Sequence, residues 1–164
     1  MDPALKQEIV AILEDANDMT IATIREDGYP QATTLSYVND GLAIYFGCAA
    51  DSQKAKNLAR DNRVSLTVNL PYASWNDIRG LSIGGRAEPV TDPQAVEQAA
   101  QLMLEKFPQI DGYAPAELDA IVVFQVTPEV ISVLDYRKGF GHSDLVKLAA
   151  RKAFGHADLS EIGV

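Results

Sequence analysis

The sequence predicts a mainly β protein of the α+β class, in which six antiparallel strands close a barrel that helices flank. Three observations predict it. Six segments rich in β-branched and aromatic residues are bounded by Gly, Pro, Asn and Asp turn signals. Helical periodicity is confined to the start of the chain, the stretches after the third and fifth strands, and the end. A Gly84-Gly85 pair sits inside one strand, as a bulge or a sharp barrel corner requires.

Taken in order, Asp2-Pro3 is an N-cap and first-turn signal, and Leu5, Ile9, Ile12 and Leu13 recur at helical spacing, which predicts a helix over 3–16. Strands follow over 19–25, 31–38 and 42–47, joined by the turns Glu26-Asp27-Gly28-Tyr29 and Asn39-Asp40-Gly41, as a three-strand antiparallel meander. Asp51 then reads as the cap of a short helix in which Ala55, Leu58 and Ala59 share one face. Residues 63–70 and 78–90 supply two more strands, and Asp92-Pro93 opens a helix running to about Lys106. After a loop with Pro108, Gly112 and Pro115, residues 121–134 form the last long strand, interrupted near Pro128. Leu145, Leu148 and Ala149 predict a helical tail over 143–164. With no repeat, low-complexity run or long linker, residues 1–164 are expected to form one domain.

Composition narrows the function classes. Twenty-three acidic against 14 basic side chains give a net charge of -9, with no gathered basic patch, which argues against a nucleic-acid partner. No stretch approaches the ~20 apolar residues of a membrane span, and the first residues lack a secretory signal, so the expected location is the cytoplasm. Cys48 is the only cysteine, which excludes an internal disulfide framework. His142 and His156 have no partner at metal-ligand spacing, so no metal site is expected. An acidic protein can still hold an anionic cofactor, in a local pocket of backbone N–H groups and a few cations.

The stretch from Ile44 to Leu58 has that chemistry. An aromatic strand ends in small residues, and a helix begins with Ser52 and Lys54 in its first turn. Free amides at a helix start, the helix dipole, a hydroxyl and an ammonium together suit a phosphomonoester. An ordinary cap and a solvated lysine are the plain alternative. What favours the phosphate is position, between an aromatic strand and a helix that leads into another long strand.

The order of these pieces resembles the pyridoxamine 5'-phosphate oxidase-like, FMN-binding split-barrel superfamily. The matching pieces are Pro30-Gln31-Ala32-Thr33-Thr34-Leu35-Ser36, Tyr45-Phe46, Ser52-Gln53-Lys54, Asn57-Leu58 and Asn62-Arg63-Val64-Ser65-Leu66. The resemblance implies a split barrel that binds FMN, with F420 or haem as alternative ligands of related barrels. It implies that Gln31, Ala32, Thr33, Thr34, Leu35 and Ser36 lie along the flavin ring, with Phe46, Gly47 and Cys48 beside it. Ser52, Gln53 and Lys54 correspond to the phosphate triplet. Arg79 corresponds to an arginine that reaches the flavin from the second subunit of a homodimer, so a dimer with the cofactor at its interface is implied. The implied activity is an FMN-dependent oxidoreductase acting on a small molecule, or a flavin-binding module without turnover.

Two departures separate the chain from the vitamin B6 oxidases proper. They carry Arg-Gln where this chain has Arg79-Gly80, and an arginine-rich C-terminal motif where it has residues 133–142. Other residues have plain readings. Trp75, with Tyr72, either closes over a ring or plugs the barrel end. His142 is expected on the surface at the cap of the last helix, although its position beside a glycine-rich loop also suits a proton carrier at the pocket mouth. Cys48 is expected as a small buried residue, and Glu14, Asp15, Asp18, Glu26 and Asp27 as solvated charge. Gly84-Gly85 is followed by no helix, so it is not a dinucleotide loop.

Overall fold

A computed structural model describes residues 1–112 and 121–148. The chain opens with α1 (Pro3–Asp15), and the Asp2 carboxylate accepts from the Ala4 amide as the Asp-Pro signal requires. β1 (Asp18–Ile24) and β2 (Pro30–Ser36) form a hairpin whose turn needs Gly28 at φ 82°. β3 (Val38–Asp40) and β4 (Ala43–Ala49) form a second hairpin, followed by α2 (Gln53–Arg60), β5 (Arg63–Asn69), β6 (Arg79–Pro89) and α3 (Pro93–Lys106). β7 (Ile121–Asp135) and β8 (Ser143–Lys147) complete one antiparallel sheet ordered β2-β1-β5-β6-β7-β4-β3, with β8 also paired to β7.

The sheet curls into a split barrel, in agreement with the fold class, but the described residues supply eight strands where six were expected. The two hairpins are also not a meander. Among the described residues β2 pairs only with β1, at one edge of the sheet, while β3 and β4 join the other edge through β7. The chain crosses between these edges at Tyr37, which is fully buried and donates its hydroxyl to the Leu13 carbonyl at 2.7 Å. Burial pushes the Tyr37 phenol well above its usual range. Lys106, at the end of α3, donates to the same carbonyl at 3.1 Å, with its ammonium 4.3 Å from the centre of the Tyr37 ring. One residue therefore anchors both the crossing and the end of α1.

The second added strand corrects the expected tail. Residues 143–147 are not helical but extend along β7, with Val146 buried and Leu145 on the outer face. The exposed flank of the long β7 needs a backbone partner, and that outweighs the helical spacing of Leu145 and Leu148. The rest of the expected tail, from residue 149, and Pro115 lie outside the described residues. β7 itself is continuous through Pro128, because pairing slips there instead of breaking. Gly84 faces Val130 and Gly85 faces Pro128, leaving Glu129 as the extra residue of a bulge.

Alternation places the core. β1, β5 and β6 turn Ile21, Leu66, Val68, Leu81 and Ile83 inward, and α1 adds Ile9, Ile12 and Leu13 to the same cluster. Among the described residues no helix is long and apolar enough to cross a membrane. At the end of β7 the buried Asp135 carboxylate takes two bonds from the Arg137 guanidinium, both at 2.8 Å, which hold its pKa down at about 2. Because the folded pKa lies below the unfolded value of about 4, this pair stabilises the fold above that value and its contribution is lost as pH falls toward 2. Asp135→Asn should accordingly lower stability at neutral pH and flatten the acid limb of a plot of melting temperature against pH.

Candidate functional site

The expected phosphate triplet opens α2, one residue later than the sequence suggested. Asp51 is not the N-cap: the Ser52 amide closes a turn onto the Ala49 carbonyl at 3.0 Å, which moves the helix start on to Gln53. Ser52 is the cap, its Oγ accepting from the Ala55 amide at 3.2 Å and its carbonyl from the Lys56 amide at 3.1 Å. That leaves the Gln53 and Lys54 amides without an intrahelical acceptor, and the Ser52 hydroxyl proton free to be donated outward.

Lys54 is half-buried, with its ammonium 5.9 Å from the centre of the Phe46 ring, and it forms no ion pair among the described residues. A cation withdrawn from water without a counter-charge is costly unless an anion joins it. Two amides, a hydroxyl and this ammonium form a donor set suited to a phosphate, so the residues present fit the phosphate end of FMN. A neighbouring open cleft of about 380 Å³ is lined by Arg25, Glu26, Asp27 and Gln53. Its Glu26 and Asp27 carboxylates disfavour an anion there, and Arg25 is already paired with Asp27 at 2.8 Å.

The buried face of α2 differs from the one expected. Ala55 and Leu58 are buried, Ala59 is exposed, and the polar Asn57 takes its place inside. Asn57 donates through Nδ2 to Thr23 Oγ1 at 3.0 Å and to Gln31 Oε1 at 3.1 Å, and accepts from Gln53 Nε2 at 2.8 Å. Sequence reasoning registered Asn57 only as part of a motif. An amide amid the apolar residues of a short helix was the available signal, since a buried amide requires partners.

These bonds bring the start of β2 against the start of α2. Along β2, Gln31, Thr33 and Leu35 are half-buried while Ala32, Thr34 and Ser36 are exposed. Among the described residues β2 has β1 on one side only, so its outer backbone edge pairs with none of their strands. Gly47 and Cys48 lie in β4 a few residues before Ser52, Gly47 exposed and Cys48 half-buried instead of buried. Phe46 is buried in a stack on Phe124 with ring centres 5.4 Å apart.

Arg79 is not brought to the others within the chain. It starts β6, which β5 and β1 separate from β2, and β7 separates from β4. Arg79 is half-buried and forms no ion pair among the described residues. Next to it, Gly80 is buried against β5, where an added Cβ would lie 2.7 Å from the Val68 carbonyl oxygen and 2.9 Å from Asn69 Oδ1. The glutamine of the B6 oxidases has no room at this position on this backbone.

Two further readings are corrected. Trp75 is no barrel plug: it is two-thirds exposed and stacks on the exposed Phe140, with ring centres 6.0 Å apart. His142 caps no helix but precedes β8, its Nε2 3.1 Å from Asp144 Oδ2. That contact and Lys138 lower the Asp144 pKa. Among the described residues no three His, Cys, Asp or Glu side chains are grouped to hold a metal.

Comparison with known proteins agrees with this fold. The model of the family described as pyridoxamine 5'-phosphate oxidase matches residues 5–135. The pyridoxine/pyridoxamine 5'-phosphate oxidase of Vibrio cholerae is 35% identical over 89 residues, 53% of this chain, and the match spans only 40% of that oxidase. The crystal structure of the conserved hypothetical protein Rv2991 from Mycobacterium tuberculosis superposes with a TM-score of 0.71 at 30% identity, covering 84% of this chain and 87% of that one. A heme binding protein from Mycobacterium smegmatis shares the fold, with a TM-score of 0.75 at 21% identity over 90% of this chain and 59% of that one. The chain thus belongs to the pyridoxamine 5'-phosphate oxidase family of split-barrel proteins.

Proposed function

We propose that this protein binds FMN with its phosphate on the start of α2, and serves as an FMN-dependent oxidoreductase for a small molecule. The observation that carries this reading is the half-buried Lys54 ammonium, which has no counter-charge among the described residues and is set beside two free first-turn amides. Lys54 and the Ser52 hydroxyl donate to phosphate oxygens, with the Gln53 and Lys54 amides completing the cradle. The free edge of β2, from Gln31 to Ser36, supplies backbone donors and acceptors to the polar edge of the ring, and Gly47 and Cys48 border it. When bound, FMN supplies the two-electron chemistry at its ring. The family supports a flavin, while the buried Gly80 argues against vitamin B6 oxidation as the reaction.

A homodimer is part of the proposal. Thr34, Thr20, Thr67, Ser82 and Ser132 form one cross-strand row on the outer face of the sheet, and the next row is also made of small residues up to Lys147. These two rows carry no charge before Lys147, and an outer face of such small side chains suits a second copy of the chain. In such a pair Arg79 of the partner subunit would place positive charge beside the ring. Thr67→Arg buries an unpaired charge in that interface and should raise the dimer dissociation constant at least about tenfold, read by light scattering over a dilution series.

The absorption spectrum of the freshly purified protein tests the cofactor. Flavin bands are expected. A deazaflavin spectrum or a Soret band would replace FMN with F420 or haem. Stopped-flow reduction of the bound flavin by nicotinamide donors and candidate amines then tests turnover, and failure with all of them would leave a flavin-binding module without it.

A further inference from the structure

We propose that Asn57, which touches neither end of the ligand in the reading above, is a positioning residue that sets the polarity of the Gln31 amide. The proposal rests on the FMN reading. Asn57 is 1% exposed and lies at the junction of α2, β1 and β2, with both its N–H groups and its carbonyl engaged. Its acceptor is committed to Gln53 Nε2, so only its Nδ2 faces Gln31. Gln31 is thereby held with Oε1 inward, which leaves Nε2 as the free end of a half-buried side chain on the ligand strand. Nε2 makes no hydrogen bond to any described residue.

The consequence is a hydrogen-bond donor of fixed orientation. Reversing the Gln31 amide would set two N–H groups against each other at Asn57 and leave the buried Nδ2 short of an acceptor. Gln31 therefore offers a donor to an electron-rich edge of the ligand and cannot easily offer an acceptor. The Asn57 carbonyl accepts from Gln53 of the phosphate triplet, so Asn57 also fixes the spacing between the phosphate end of the site and the edge strand. Among the described residues β2 has no strand but β1 to hold it there.

A double-mutant cycle on FMN affinity tests this, with the apo form of the full chain titrated by flavin fluorescence. Asn57→Ala and Gln31→Met should each weaken FMN binding about tenfold. The double variant should be no more than about twofold weaker than the weaker single, since both changes remove one device. Independent, multiplying effects would overturn the proposal, as would wild-type affinity in either single variant. Gln31→Met lies half-buried on an edge strand and keeps the fold testable. If Asn57→Ala does not fold, Asn57→Asp takes its place in the cycle, keeping the acceptor for Gln53 and removing both donors. Lys54→Ala in the same assay separates the two levels. If it binds FMN like wild type, the phosphate reading fails whatever Asn57 does. If it loses FMN while the Asn57 and Gln31 variants do not, the positioning role alone fails.

Discussion

Lys54→Ala is expected to purify largely without flavin and to bind added FMN about thirtyfold more weakly than the wild type. The magnitude follows from the charge-assisted bond that is lost, about 2 kcal/mol. It exceeds the value of a surface lysine because Lys54 is half-buried against Phe46 and has no carboxylate among the described residues to compete with a phosphate. The Ser52 hydroxyl and two amides survive the substitution, so affinity should fall without vanishing. Lys54→Arg keeps the charge and should retain more affinity than Lys54→Ala. Equal flavin content in wild type and Lys54→Ala, measured from the ratio of visible to 280 nm absorbance, would remove the ammonium from the phosphate site. Melting curves should be alike for the two apo proteins, since Lys54 forms no ion pair among the described residues whose loss could destabilise the fold.

Gly85→Ala is expected to cost about 3 kcal/mol of stability, or about 10 °C in melting temperature. The added Cβ would fall on the Thr127 carbonyl oxygen and within 3.1 Å of Pro128 Cα, both of them backbone atoms of β7. Neither can rotate away, so β6 and β7 would have to part at the bulge where the sheet turns. Gly28→Ala is the contrasting case. No atom lies within 4 Å of its added Cβ, so the cost is only that of φ 82°, about 1 kcal/mol. A melting temperature for Gly85→Ala equal to that of Gly28→Ala would show that the corner can relax.

The features legible in the sequence were those with a local cause. The caps of α1 and α3, the Gly28 turn and the Gly84-Gly85 bulge each follow from residues within a few positions of one another. What was hidden depended on partners far along the chain. No Gly, Pro, Asn or Asp falls between Gln31 and Val38, so no turn signal announces that the chain changes edges at Tyr37. The fact that settles it is a hydroxyl reaching Leu13, 24 residues earlier. The same holds for residues 143–147, where Leu145 and Leu148 suit a helix until β7 is present to pair with.

The candidate site divides in the same way. The place of Ser52 and Lys54 at a helix start was legible because that start is a local pattern. Asn57 was not, since its role comes from Thr23 and Gln31, which are 34 and 26 residues away. Arg79 was placed only by resemblance, and within one chain the sheet order keeps it apart from the phosphate triplet.

The most direct measurement compares FMN with riboflavin on the wild-type apo protein by calorimetry. The two ligands share the ring and ribityl chain and differ only in the phosphate. If Ser52, Lys54 and the first-turn amides of α2 hold that group, FMN should bind at least about 100-fold more tightly. Equal affinities for FMN and riboflavin would contradict the assignment.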